Sequence, residues 1–147
     1  MRRDGAGRWS VPQSSRQKIQ MAGQRRVFCR LMIDVMRSVH TAYAPATESF
    51  GNRLETAFVG LCVVLGEIEG KPFSVAKLAT YMRMPRTKVM SRLRRLQSWG
   101  LVTKQGHRYY VEEKALNSLV GMRSYQQMRK ILRNATEELA LLDTLTE

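Results

Sequence analysis

Between Phe73 and Val111 the order of apolar residues and breakers leaves few folds open. The stretch reads FSVAKLATYMRMPRTKVMSRLRRLQSWGLVTKQGHRYYV. Ser74 is a good N-cap, because its side-chain oxygen can accept from the free N–H groups of a first helical turn. A short helix over Val75–Met82 follows. Pro85 disfavours helix at the residue before it and suits the first turn of the next, so Arg83-Met84-Pro85 predicts a tight turn. A second helix then runs from about Pro85 to Trp99. Gly100 stops it, since glycine takes the left-handed conformation at little cost. Two extended runs, Leu101–Lys104 and Arg108–Val111, meet at Gln105-Gly106, which predicts a hairpin. In its second strand Tyr109 and Val111 share one face and Tyr110 takes the other.

Charge singles out the same stretch. From Lys71 to Val111 there are ten Lys or Arg and no Asp or Glu. The formal net charge of +13 is otherwise uneven: residues 1–30 carry +7, residues 31–70 carry −3 and residues 112–147 carry −1. A solvated helical surface usually mixes both signs. One sign alone, on a helix of groove-filling size, is the footprint of a phosphate-bearing partner.

These residues carry a resemblance. MPRTKVMSRLRRLQSWGLV resembles the recognition-helix signature of bacterial winged helix-turn-helix repressors. The spacing of Val89, Leu93, Leu96 and Gly100 is similar to that of IclR-type and ArsR-type domains. The whole chain, with a long helix before and after, looks most like the MarR family, although its hairpin lacks the Asp-x-Arg pattern of MarR wings. The resemblance implies a mostly α fold with a two-stranded β wing and long N- and C-terminal dimerisation helices. It implies sequence-specific binding of double-stranded DNA by a homodimeric bacterial transcriptional regulator, cytoplasmic and nucleoid-associated. The second helix would enter the major groove N-terminus first. Arg86, Thr87, Lys88, Ser91, Arg92 and Arg95 are the expected base or phosphate contacts, since Arg reads guanine bidentately and Ser and Thr serve base or phosphate. Lys104, His107 and Arg108 on the wing, with Ser74 and Lys77 on the first helix, would meet the flanking backbone. A small-molecule effector between the long helices and the head is a further partner of that class. Two alternatives fit the same layout: a protein–protein module with an acidic partner, and an RNA-binding variant.

The rest of the chain is read around this head at 71–111. Residues 1–14 form a basic arm expected to be disordered, and residues 15–147 a single domain. A long helix is expected over Ser15–Tyr43, ended by Pro45, with Val27, Leu31, Val35 and Val39 repeating every fourth residue beside Phe28, Met32 and Met36. Glu48–Glu69 is the next helix. Leu54, Ala57, Phe58, Leu61, Leu65 and Ile68 share one face of it, and Cys62, Val63 and Val64 fill most of the remainder, so it is expected to be buried all round. In the head, Val89, Leu93 and Leu96 face the core, as do Leu78 and Tyr81. Glu112–Val120 reads as a short helix broken by Gly121. The last helix, Met122–Leu145, carries Tyr125, Met128, Leu132, Ala135, Leu139 and Leu142 at a spacing of 3-4-3-4-3, a heptad seam. That seam packs either on the chain's own first helix or on a second subunit. The dimerisation residues expected within 15–44 and 122–147 are Leu31, Val35, Val39, Met128, Leu132, Leu139 and Leu142.

Catalysis finds no support. The only histidines are His40 and His107, and each has a simpler reading, a helix-dipole contact and a DNA-backbone contact. No Cys/His/Asp group has metal spacing and no glycine-rich loop precedes a lysine, so no cofactor is expected. Cys29 and Cys62 do not stand at disulfide-framework spacing. Cys62 lies in the most apolar run and reads as packing. Cys29, with Arg26 and Arg30 near it, is either packing too or the oxidant-sensing thiolate that the MarR resemblance implies. No apolar region follows the basic N-terminus as in an export signal. The apolar run Ala57–Leu65 is far shorter than the ~20 residues a bilayer span needs.

Overall fold

The computed structural model describes residues 2–3, 5, 9–10, 14–42 and 48–146. At the N-terminus β1 (Arg2–Arg3) pairs antiparallel with β2 (Trp9–Ser10). These four residues belong to the arm expected at 1–14. The remainder of that expectation, at 1, 4, 6–8 and 11–13, lies outside the described residues, as do Tyr43 and Pro45. The chain continues through α1 (Ser15–Ala42), α2 (Phe50–Ile68), α3 (Val75–Met82) and α4 (Arg86–Ser98). After them come β3 (Val102–Gln105), β4 (Arg108–Val111), α5 (Glu113–Leu116), α6 (Leu119–Asp143) and a 3-10 turn at Thr144–Thr146. The protein is mostly α, with small two-stranded antiparallel sheets. Among the described residues no helix is long and apolar enough to cross a membrane.

Two compact units divide the chain: Met1–Val35 with Arg129–Glu147, and Met36–Met128. In the first unit the start of α1 meets the end of α6. Gln20 Nε2 donates to the Leu142 carbonyl at 3.3 Å, and Arg30 Nη1 lies 3.7 Å from Glu138 Oε1. The partners on α6 move backwards as α1 advances, so these segments run antiparallel. A Cβ on Gly23 would stand 2.5 Å from Leu142 Cδ2, so glycine lets this seam leucine close on α1. Val27 is buried.

The second unit is built on α2, which packs against α3, α4 and β4. Its core joins Val59, Cys62 and Val63 to Leu78 and Met82 of α3, to Val89, Leu93 and Leu96 of α4, and to Val102 and Tyr109 of the hairpin. The apolar spacing of α4 fixes this: Val89, Leu93 and Leu96 fall on one side of a 100° wheel and all three are buried. Ser74 caps α3, its side chain accepting from the Lys77 N–H at 3.3 Å. Arg83 then closes the helix with φ +53 and ψ +48. Gly100 at φ +71 ends α4 as its position predicts. Gly106, at φ +62, is the first residue of the two-residue loop between Gln105 and Arg108, the conformation such hairpin loops favour. The hairpin sits one residue later than the sequence suggests at its first strand. It is tied down by the Tyr109 N–H on the Phe73 carbonyl, 3.0 Å, and by the Val111 N–H on Glu67 Oε2, 2.9 Å. Gly66 allows the chain after α2 to fold back, since a Cβ there would stand 2.5 Å from the Phe73 ring.

Three expectations fail. α2 is not buried all round: Thr56, Ala57, Val59, Cys62, Val63 and Gly66 are buried, while Phe58, Leu61, Leu65 and Ile68 are exposed. A helix this apolar gives no sequence signal as to which side the rest of the chain covers. Tyr81 is 56% exposed, and Met82 takes the inward place beside Leu78. The larger ring leans instead on Phe73, with centroids 5.4 Å apart. Gly121 does not break the last helix, because α6 begins at Leu119 and runs through it, leaving α5 only four residues.

Candidate nucleic-acid interface

The cations of α4 separate by angle around the helix. Opposite the buried Val89, Leu93 and Leu96 lie Thr87, Ser91, Arg94 and Ser98, all exposed. Lys88, Arg92 and Arg95 lie to one side, turned towards the start of α2. That start carries the carboxylates of the acidic segment, so an ion-pair cluster forms.

Glu55 is the hub. Its Oε1 lies 2.7 Å from Lys88 Nζ. Its Oε2 accepts from Arg92 Nη2 at 2.9 Å and Nε at 3.2 Å. Arg92 Nη2 also donates to Asn52 Oδ1 at 2.9 Å, and only 12% of the Arg92 side chain is exposed. Arg95 Nη1 pairs with Glu48 Oε1. The Lys88 ammonium, and after it the Arg92 guanidinium, hold the Glu55 carboxyl below the usual carboxylate range, against a partial desolvation that acts the other way.

The expected site residues therefore fall into groups. Arg86, Thr87 and Ser91 are exposed and none has a carboxylate partner among the described residues. Lys88 and Arg95 are about half exposed but already paired. Arg92, expected to contact base or phosphate, is instead folded against α2, where three donor contacts hold it. It cannot reach outward without breaking them. Ser74 gives its side-chain oxygen to the cap of α3, while Lys77 is exposed. On the hairpin Arg108 Nη1 donates to the Pro72 carbonyl at 2.9 Å, and Lys104 Nζ stands 5.9 Å from the centroid of the Tyr109 ring. His107 is exposed at the tip. The terminal residues Leu132 and Leu139 are exposed, and Leu31, Val35, Val39, Met128 and Leu142 are half-buried.

Arg94 and Arg83 were not among the expected contacts, yet both are exposed beside this face. The same helical wheel places Arg94 opposite the core. Glu48, Asn52 and Glu55 were missed as partners, because their register against α4 depends on how two helices cross.

A groove of about 460 Å³ opens between α3 and α4, lined by Phe73, Ala76, Lys77, Thr80, Tyr81 and Arg86. Its lining joins two cations, Lys77 and Arg86, to the tilted pair of rings Phe73 and Tyr81.

Cys29 is exposed and Cys62 buried. Burial pushes the Cys62 thiol up, which suits an inert packing group. His40 is set against Phe50 with ring centroids 4.7 Å apart, and its carbonyl accepts from Arg53 Nη1 at 3.1 Å. Among the described residues no three His, Cys, Asp or Glu side chains come together as metal ligands.

Comparison of the chain with protein-family models, with curated proteins and with solved structures gave no match.

Proposed function

We propose that the protein binds double-stranded DNA through a winged helix-turn-helix head and acts as a homodimeric bacterial transcriptional regulator. In this reading α3 and α4 are the helix-turn-helix and β3–β4 the wing. The observation that carries it is the outward face of α4. Thr87, Ser91 and Arg94, with Arg86 at its first turn, are exposed on a helix whose opposite side is locked into the core. A helix presenting short hydroxyls, and guanidinium groups with no carboxylate partner among the described residues, has the donors that base edges and phosphates accept. Lys77, Arg83 and Lys104 supply flanking charge without a carboxylate partner among the described residues, and His107 is exposed at the tip of the hairpin beside them. Arg92 belongs to the support of this face rather than to the contacts.

One observation favours a second reading, a protein–protein module. Lys88, Arg92 and Arg95 already take carboxylates as partners, and an acidic protein would offer more of them. Gel shifts with duplex DNA, duplex RNA, single strands and an acidic polypeptide separate the readings. We expect duplex DNA to bind tightest. The log–log salt slope of a dimer neutralising about three to five phosphates per subunit should lie between about −5 and −9. Duplex binding that barely changes with salt would sink the proposal.

A further inference from the structure

The outward face of α2 is apolar from end to end, and α3, α4 and the hairpin, which pack on α2 within its own unit, leave it open. Phe50, Phe58, Leu61, Leu65 and Ile68 are exposed to between 38% and 76%. On a 100° wheel they fall within about a third of a turn together with Gly51 and Leu54. Inside this arc there is no charged side chain; Glu69, just past the end of the helix, stands at its edge. The five large side chains leave on the order of 500 Å² of apolar surface open, at the upper end of what a monomer usually exposes as one patch. With a polar rim this approaches the ~800 Å² that each partner gives to a stable protein interface. The absence of cations removes nucleic acid as an occupant. An anionic lipid surface is disfavoured for the same reason, since Glu55, Glu67 and Glu69 are the acids nearest it.

We infer that this face binds the same face of a second copy, α2 antiparallel to α2, across a two-fold axis between Gly60 and Val59. The positions Gly51, Leu54, Phe58, Leu61, Leu65 and Ile68 are spaced 3-4-3-4-3, which reads the same in both directions. A two-fold interface must match a surface to itself, and this seam does so residue by residue. Phe58 meets the Leu61 position of the other copy, and Leu54 the Leu65 position. Ile68, the most exposed of the set at 76%, meets Gly51. A Cβ added at Gly51 would touch nothing within 4 Å, so there is room there for the most protruding side chain. The charges also fit. In this register Glu55 falls opposite Val64, Glu67 opposite Asn52 and Arg53 opposite Gly66, and no like charges face one another. The inference does not depend on DNA binding, and it locates a contact between copies on the second compact unit itself.

Light scattering on the full chain tests it. The wild type should be dimeric at tens of micromolar. Leu61→Glu with Leu65→Glu should be monomeric with unchanged far-ultraviolet circular dichroism, since both side chains are outside the core. Ile68→Glu, at the most exposed position, should weaken the dimer at least tenfold without touching the fold. Adding Gly51→Lys to Ile68→Glu should recover most of that loss through an ion pair across the seam. Leu132→Asp with Leu139→Asp on α6 is the comparison. A monomeric wild type overturns the inference. So does a dimer that survives the α2 changes, whether or not the α6 changes dissociate it. Failure of Gly51→Lys to restore the Ile68→Glu dimer overturns the antiparallel register.

Discussion

Arg92 and Arg94 are neighbours in sequence with opposite surroundings. Arg92 is held by Glu55 and Asn52 with little exposure, and Arg94 stands in solvent opposite the core. Their alanine variants should diverge. Arg94→Ala should leave thermal stability unchanged and weaken duplex binding by ~1–3 kcal/mol if it reads a base. Arg92→Ala should lower unfolding free energy by ~1–2 kcal/mol, because charge-assisted contacts are lost and Asn52 and Glu55 lose a partner. Urea unfolding and fluorescence anisotropy on both variants measure the two effects. A stable Arg92→Ala protein with impaired DNA binding would show that the guanidinium leaves α2 when DNA is bound. Arg83 is a second instance where neighbouring context dominates. It is the only described residue other than glycine at positive φ, +53, a conformation that costs a side chain ~1–2 kcal/mol. Arg83→Gly removes that cost but adds freedom to the unfolded chain. The net expectation is a gain of ~0.5–1 kcal/mol in urea unfolding, together with a shallower salt slope if the cation contacts phosphate.

At the scale of elements, the crossing of α2 and α4 is fixed by core packing on one side and by the Glu55 cluster on the other. Glu55 has a folded-state pKa below its unfolded value of about 4.5, first because of Lys88 and then Arg92. A depressed carboxylate contributes stability that is complete above the unfolded pKa and is lost as pH falls through the folded one. Glu55→Gln should therefore destabilise the protein at pH 7 by about 1 kcal/mol, modest because the group is partly solvated. The difference between the two proteins should shrink steadily below pH 4.5. Denaturation at pH 7, 5, 4 and 3 follows it. A gap that stays constant across that range would mean the carboxylate adds nothing electrostatic to the packing of the two helices.

In the proposed function the whole molecule matters through symmetry. Two recognition helices of one dimer must reach successive major grooves, about 34 Å apart. If the proposed function holds, half-site centres lie roughly one helical turn apart, and inserting about five base pairs between them should abolish tight binding. Sites selected from a random DNA pool should be two-fold symmetric, and a spacing series on such a site measures the tolerance. A dimer whose affinity ignores the spacing would bind with one head at a time.

Sequence alone determined the elements of the head. Ser74, Pro85, Gly100 and Gly106 each impose a local backbone state, and the Val89, Leu93, Leu96 spacing assigns the inner side of α4, because these effects act within a turn or two of the chain. Local patterning also located the acid-free stretch. It could not decide the partners of side chains. Lys88, Arg92 and Arg95 look alike in sequence, but their ion pairs depend on the angle at which α2 crosses α4, set by packing of residues about forty positions away. The sidedness of α2 was equally illegible. Apolar residues occur all around it, and only the positions of α3, α4 and the hairpin determine that Val59 and Val63 are inside while Phe58, Leu61 and Ile68 face out. Tyr81 and Met82 show the same limit at one step of a helix: both are apolar enough for the core, and Met82, one turn on from Leu78, is the one buried with it.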